Sequence, residues 1–220
     1  MEGFFATDAV ENNRLRRGGR TVVYIAAMKK ASGKAKILSS KKVYEGRIFD
    51  VVVDMVREPS GVVVKREIVR HRGSVVILAV SGRTNPKILL ERQYRYAAQA
   101  ELWELPAGKI DRGEKPLASA KRELLEETGY KARNWRMFLE FYVSPGFLDE
   151  LMFIYLATGL TLGKAQPEAD EFIESRWVSL TAAIGMIARG EIIDAKTACS
   201  VLWLKENLKS LKFQLVPSVY

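Results

Sequence analysis

Three glutamates in the stretch RELLEE have residue types and a spacing that could do chemistry. Glu123, Glu126 and Glu127 stand at i, i+3 and i+4, which on a helix places their Cβ atoms about 6 Å apart on one face. Like charges this close destabilise an isolated helix, although Arg122 can pair with Glu126 one turn further on. The cluster is either a solvated acidic face or a site for a hard cation, because Mg²⁺ and Mn²⁺ prefer carboxylate oxygens combined with substrate phosphates.

The helix that would carry these carboxylates has clear ends in the sequence. Pro116 suits the first helical turn, where its missing N–H would be unpaired in any case. Residues 117–128 are mostly strong helix formers, and Gly129 can adopt the left-handed conformation that ends a helix. We therefore predict a helix of about three turns here, which is an ordinary length.

Residues 108–130 follow a longer pattern of residue types that includes this helix. The stretch fits G-x5-E-x7-R-E-U-x-E-E-x-G-U, in which U is a bulky apolar residue, and it resembles the signature of the Nudix hydrolase family. The matching positions are Gly108, Glu114, Arg122, Glu123, Leu124, Glu126, Glu127 and Gly129, and only Tyr130 departs mildly. The resemblance favours the cation site and implies a loop–helix–loop that holds a divalent metal against a diphosphate.

Segments outside this signature resemble one branch of the family, the ADP-ribose pyrophosphatases. They are LLERQYRYAAQAELWELPAGKID (89–111), Pro145 in SPGFLDE, DEFIE (170–174) and DAKTACSVLWL (194–204). The resemblance covers about residues 43–208. It implies a homodimeric enzyme that hydrolyses ADP-ribose to AMP and ribose 5-phosphate, with Mg²⁺ or Mn²⁺ as its cofactor.

The resemblance also implies which residues hold the metal and move the proton. The metal ligands would be three carboxylates and one backbone carbonyl, namely those of Glu123, Glu126, Glu127 and Ala107. Arg122, the arginine of the signature, is expected to be a catalytic residue. The general base that activates water would come from the loop 159–172, where Glu171 matches the catalytic position and Glu168 is the next candidate. The alternative is that these loop carboxylates are only solvated charges.

Substrate contacts are implied for a second group of residues. Arg95 would hold a phosphate or the terminal ribose, unless it forms only a surface ion pair, and Glu104 is a weaker candidate for a ligand contact. Ile48 and Arg66 match positions at which some relatives sandwich the adenine between aromatic residues of the two subunits' hairpins, and Glu67 could accept from the exocyclic amine. Because Ile48 and Arg66 are not aromatic, a strict preference for adenine is in doubt.

Apolar patterning predicts the elements that must position these residues. Strands are expected at 47–56 and 62–70 around the turn Pro59-Ser60-Gly61, and then at 74–80, 87–94, 101–106, 135–143, 150–158 and 171–180. Two helices are expected at 181–189 and 194–209. The predicted fold is α+β: a Nudix α/β/α sandwich with a mixed sheet, preceded by an antiparallel β-hairpin subdomain.

These elements group into four segments along the chain. They are a basic, flexible extension (1–42), a hairpin that forms the dimer (43–72), the Nudix domain (73–209) and a C-terminal tail (210–220).

Charge and composition limit the partners of the protein. The net charge is +9, and residues 1–42 hold ten basic and three acidic residues, so most of the excess lies there. A basic tail either binds nucleic acid or is a solvated end, and we expect the second because aromatic residues are not interleaved with the charges. No apolar run reaches the roughly 18 residues of a membrane helix, so no membrane partner is expected.

The rarer residues add a prediction of compartment. A single cysteine, Cys199, excludes an intramolecular disulfide and indicates a reducing compartment, so we expect a cytoplasmic protein. Cys199 itself is expected to be buried, and the only histidine, His71, is expected at the surface.

Two other functions stay open at this point. One is a Nudix hydrolase of another nucleoside diphosphate sugar, such as GDP-mannose, or of a dinucleoside polyphosphate. The other is a non-catalytic Nudix-fold ligand sensor whose basic tail binds nucleic acid. An intact set of signature glutamates argues against the sensor.

Overall fold

A computed structural model describes residues 16–17, 20–21, 33–82, 84–164 and 173–211. The strands are β1 (Arg16–Arg17), β2 (Arg20–Thr21), β3 (Lys36–Glu45), β4 (Phe49–Arg57), β5 (Val63–His71), β6 (Ser74–Ser81), β7 (Lys87–Arg95), β8 (Ala100–Glu104), β9 (Ala107–Lys109), β10 (Tyr130–Tyr142), β11 (Leu151–Leu162) and β12 (Ile173–Ser179). The α-helices are α1 (Pro116–Thr128), α2 (Leu180–Ala188) and α3 (Ala195–Leu211), and a short 3₁₀ helix covers Tyr96–Ala98.

The chain divides into two compact units, one made of residues 1–40 and 54–66 and the other of residues 41–53 and 67–220. Strands β3, β4 and β5 form a three-stranded sheet. The predicted hairpin is confirmed as β4 and β5, with Gly61 at φ 90° in its turn. Most of the basic extension predicted for residues 1–42 lies outside the described residues.

Strand β3 was not predicted, although it covers residues 36–42 of that extension. Its sequence, KILSSKKVYE, is rich in lysine and serine, and every residue in it is exposed. The strand is therefore defined by its backbone pairing to β4 and not by an alternation of buried and exposed side chains.

The second unit contains a mixed sheet in the order β10-β11-β6-β7-β12, in which only the pairing of β11 with β6 is parallel. Successive side chains of a strand point to opposite sides of the sheet. Residues 74–80 of β6 are all buried, so the strand is covered on both faces. Val76, Leu78 and Val80 pack with α2 and α3, whereas the alternate residues of β6 pack with α1. The predicted α/β/α sandwich is confirmed.

Strands β6 and β7 pair only near their connecting turn, at Val80–Ile88 and Ser81–Lys87. Beyond that point β9 pairs with β6, and β8 pairs with β7. The segment that joins β8 to β9 therefore enters the sheet. There the Ile77 N–H donates to the Pro106 carbonyl at 2.8 Å, and the Leu105 N–H donates to Thr197 Oγ1 at 2.8 Å.

Three predictions made from local patterns were wrong. Strand β10 begins at Tyr130, directly after α1, and not at residue 135. Cys199 is exposed, because it lies on the outer face of α3 with Leu202, one turn further on. The side chain of His71 is only 9% exposed. In the part of the chain that the structure describes, no helix has the length and apolar composition needed to cross a membrane.

The buried bond between α3 and the β8–β9 segment supports a stability prediction. Thr197 and Leu105 are 0% and 1% exposed, so Thr197→Val leaves the Leu105 N–H without an acceptor in a dry environment. We expect the free energy of unfolding to fall by about 1–3 kcal/mol, measured by urea denaturation. Thr197→Ser keeps the hydroxyl and serves as the control; a loss in Thr197→Val no larger than the loss in Thr197→Ser would contradict the role given to the bond.

Candidate active site

Helix α1 forms as the sequence predicts and presents its acidic face to one end of the sheet. Pro116 occupies its first turn, and Gly129 ends it at φ 74° with its N–H donating to the Leu125 carbonyl at 2.9 Å. Ala120 and Leu124 are fully buried against the sheet. Because Glu127 lies one turn from Leu124 on nearly the same side, its side chain is carried into the protein and is only 8% exposed.

Arg122 is the charge that holds the acidic face together. Its guanidinium donates to Glu123 Oε1 at 2.8 Å, to Glu126 Oε2 at 3.0 Å and to Glu114 Oε2 at 2.9 Å. It also donates to the Lys109 carbonyl at 3.2 Å, which ties the helix to strand β9. The bond to Glu114, followed by the interactions with Glu123 and Glu126, raises the pKa of Arg122, and the bond from Arg122 lowers the pKa of the Glu114 carboxyl.

The β9 backbone lies directly against two of the glutamates. The Ala107 N–H donates to Glu127 Oε2 at 3.2 Å. A Cβ atom added to Gly108 would lie 2.0 Å from the Glu123 carboxyl carbon, which is far inside contact distance. Gly108 is therefore required for space, because only a residue without a side chain lets the Glu123 carboxylate rest on this strand.

These residues form one wall of a cleft of about 340 Å³. The acidic wall consists of Ala107, Gly108, Glu123, Glu126 and Glu127. The other lining residues are Ile48, Ser74, Arg95, Lys109, Met152 and Lys196. The cleft thus places three carboxylates and three cationic side chains around one space, an arrangement suited to a metal-bound polyanion.

The cationic side of the cleft is built on a buried carboxylate. Glu104 is 3% exposed; it accepts two bonds from Arg95, at 2.8 and 3.0 Å, and a further bond from Lys196. Burial alone would raise the pKa of Glu104, but Arg95 and Lys196 outweigh it and lower that pKa. Lys196 also pairs with Asp194 at 2.9 Å. Glu104 therefore lies behind the two cations and does not itself line the cleft.

Lys196 is a lining residue that the sequence analysis did not single out. It lies in the first turn of α3, 92 residues after Glu104, and its side chain is 11% exposed. A lysine in the first turn of a helix is unfavourable to the helix dipole, and this was the available signal. The buried Glu104 supplies the partner that stabilises Lys196 at this position.

The donor set fits a hard divalent cation in its chemistry. Carboxylate oxygens and a backbone carbonyl are the ligands that Mg²⁺ and Mn²⁺ prefer. Within residues 33–82, 84–164 and 173–211, no three acidic, histidine or cysteine side chains are close enough together to hold a metal ion. The reason is visible in the contacts, since Glu123 and Glu126 each direct an oxygen to Arg122 and Glu127 directs one to the Ala107 N–H.

The remaining predicted residues are distributed more widely. Ile48 lines the cleft and is 51% exposed. Arg66 lies in the unit formed by residues 1–40 and 54–66, where it pairs with Glu58 at 2.6 Å. Glu67 is exposed on β5, and Pro145 is exposed in the loop before β11. Glu168 and Glu171 lie outside the described residues.

A family model described as the NUDIX domain matches residues 70–200, which include the helix, the loop and both sides of the cleft. The chain belongs to the Nudix family.

Relatives within the Nudix family carry several names. The chain is 39% identical to the ADP-ribose pyrophosphatase of Bacillus subtilis over 80% of this chain and 97% of that protein. It is 32% identical to the GDP-mannose pyrophosphatase of Citrobacter koseri over 72% of this chain and 87% of that protein. A crystal structure of an ADP compounds hydrolase shares the fold, with a TM-score of 0.70 and 22% identity over 87% of this chain and all of the other.

The close approach of Gly108 to Glu123 predicts a loss of metal binding. In Gly108→Ala the new methyl group must displace the Glu123 carboxylate from β9. We expect Mn²⁺ affinity, measured by calorimetry, to fall by about 10- to 100-fold with little change in melting temperature.

Gly146→Ala is the matched control, because a Cβ atom there would meet no atom within 4 Å and the residue lies outside the left-handed region. Equal Mn²⁺ affinity in the two variants would contradict the role given to Gly108.

Proposed function

We propose that the protein hydrolyses the diphosphate of ADP-ribose and releases AMP and ribose 5-phosphate. The observation that carries the proposal is the cleft itself, which is lined by the signature glutamates together with Arg95 and Lys196. The extent of similarity to the B. subtilis ADP-ribose pyrophosphatase supports the choice of substrate. The reaction adds one water across a P–O–P bridge, so one phosphate gains the hydroxyl and the other leaves.

The residues of the cleft have distinct tasks in this reaction. Glu123, Glu126, Glu127 and the Ala107 carbonyl would hold Mg²⁺ or Mn²⁺, which, when bound, offsets the negative charge of the diphosphate. Arg95 and Lys196 bind phosphate oxygens from the opposite side and stabilise the charge that develops on them. Glu104 keeps both cations in place, because its carboxylate is bonded to each of them.

GDP-mannose is the second candidate substrate. The relative from C. koseri bears the name of that activity, and Ile48, at the predicted base position, is not aromatic. Nothing in an aliphatic contact selects adenine over guanine.

A substrate comparison tests the proposal. With Mg²⁺, kcat/KM for AMP release from ADP-ribose should exceed kcat/KM for GMP release from GDP-mannose by at least tenfold, measured by chromatography of the products. Glu127→Gln removes one charge without changing volume, and it should abolish both activities, as should excess EDTA. A higher kcat/KM for GDP-mannose would reverse the order of the candidates, and activity that persists in Glu127→Gln would refute the metal site.

We further propose that Glu171 is the general base. It lies outside the described residues, so the proposal rests on the resemblance of DEFIE (170–174) to the catalytic segment of relatives. A positioned base contributes roughly 10²- to 10⁴-fold in rate. Glu171→Gln should lower kcat by that factor with KM little changed, whereas Glu168→Gln should have a small effect. The opposite result would make Glu168 the base, and two small effects would place the base elsewhere.

The assembly that we propose is a homodimer formed through the sheet β3-β4-β5. Large apolar side chains on this sheet are exposed, including Val43 (53%), Tyr44 (53%) and Phe49 (40%). Exposed apolar patches of this kind mark sites of protein–protein interaction. The compartment that we propose is the cytoplasm, on the basis of the single cysteine.

Light scattering tests the assembly. The mass should be twice the 24.8 kDa of one chain, and Val43→Asp should shift it towards one chain. Leu162→Asp changes an exposed leucine on β11, outside this sheet, and should leave the mass at two chains. A wild-type protein that is active as a single chain would rule out the proposed dimer.

A further inference from the structure

A second cavity opens beside the catalytic cleft. It has a volume of about 190 Å³ and shares three lining residues with the cleft: Ile48, Lys109 and Glu123. Its remaining walls include Arg47 from the β3–β4 turn and Arg72 from the segment that follows β5. The two cavities are therefore neighbouring parts of one surface, and a ligand bound in the cleft can extend into the second cavity.

The second cavity has an excess of positive charge. Within the part of the chain that the structure describes, the side chains of Arg47, Arg72 and Lys109 form no ion pair or hydrogen bond. Of the two acids that line the cavity, Glu123 is bonded to Arg122 at 2.8 Å. The other acid, Asp111, lies 3.8 Å from the same guanidinium. The acids are thus occupied by Arg122, and three cations remain available to an anion.

Neighbouring groups do not neutralise these cations. Asp50 forms an ion pair with Lys42 at 2.8 Å. The bond from Lys42 is the main cause of the lowered pKa of Asp50, and the charge of Arg72 makes only the smallest contribution. His71 also lines the cavity, and its Nδ1 accepts a bond from the Gly73 N–H at 3.1 Å. Guanidinium groups present planar sets of donors that match phosphate oxygens, so the cavity is suited to a compact group with more than one negative charge.

We propose that Arg47, Arg72 and Lys109 bind a phosphomonoester on the ribose of the substrate's nucleoside. The proposal rests on the proposed function, because it takes the diphosphate to lie in the adjoining cleft. The nucleoside side is indicated because Ile48, the predicted contact of the base, lines both cavities. The substrate class then includes adenosine diphosphate compounds that carry a third phosphate on the 2′ or 3′ hydroxyl.

Binding of product analogues tests this subsite without any need for turnover. Adenosine 2′,5′-bisphosphate and adenosine 3′,5′-bisphosphate are each titrated calorimetrically into the full-length protein and compared with AMP. One of the two should bind at least tenfold more tightly than AMP. In Arg72→Ala that advantage should fall by about tenfold, because a charged hydrogen bond to phosphate is worth roughly this factor.

Arg112→Ala is the matched control, since Arg112 is exposed and lines neither cavity. It removes the same charge and should keep the advantage of the bisphosphate. Equal binding of AMP and both bisphosphates to the unaltered protein overturns the proposal, as does an equal loss in Arg72→Ala and Arg112→Ala.

Titration with inorganic phosphate separates a substrate group from a free anion. Binding of inorganic phosphate that depends on Arg72, without an advantage for either bisphosphate, overturns the assignment to substrate. These readouts are independent of hydrolysis. A protein that binds a bisphosphate through Arg72 but does not cleave ADP-ribose would refute the proposed function and leave the subsite standing.

Discussion

The contacts of Arg122 are the interaction on which the candidate site depends. One guanidinium bonds to Glu114, Glu123 and Glu126 and also to the Lys109 carbonyl, so the loop before α1 and the acidic face of α1 are held by the same group. Without it, several carboxylates on adjacent turns would repel each other near the negative end of the helix dipole. The acidic wall is therefore held together by the guanidinium of Arg122.

A second charge cluster, in which one acid holds two cations, contributes Arg95 and Lys196 to the lining of the same cleft. Here one buried carboxylate, Glu104, holds two cations, Arg95 and Lys196. Its lowered pKa means that it stays ionised at neutral pH, and the stability that it contributes is lost only as the pH falls through its ordinary range and below. The cleft thus combines an acidic wall organised by a cation with a cationic wall organised by an acid.

The sequence predicts the features that are local and leaves out those that depend on distant partners. Helix α1 was predicted correctly because Pro116 and Gly129 mark its ends. Lys196 was not singled out because its partner, Glu104, lies 92 residues earlier. The exposure of Cys199 was missed because the pattern of α3 does not say which face meets the sheet. Strand β3 was missed because no side-chain alternation accompanies its pairing.

The bond between the Leu105 N–H and Thr197 Oγ1 has a consequence for motion in the site. Thr197 follows Lys196 in α3, and Leu105 precedes the segment Pro106–Ala107 that leads into the acidic wall. Both walls of the cleft are therefore joined at the first turn of one helix, and a displacement of that turn moves them together. The Leu105 amide can exchange its hydrogen with solvent only when this turn detaches. The rate of deuterium uptake at the Leu105 amide should then report how often the first turn of α3 separates from the β8–β9 segment, independently of local opening at the protein surface.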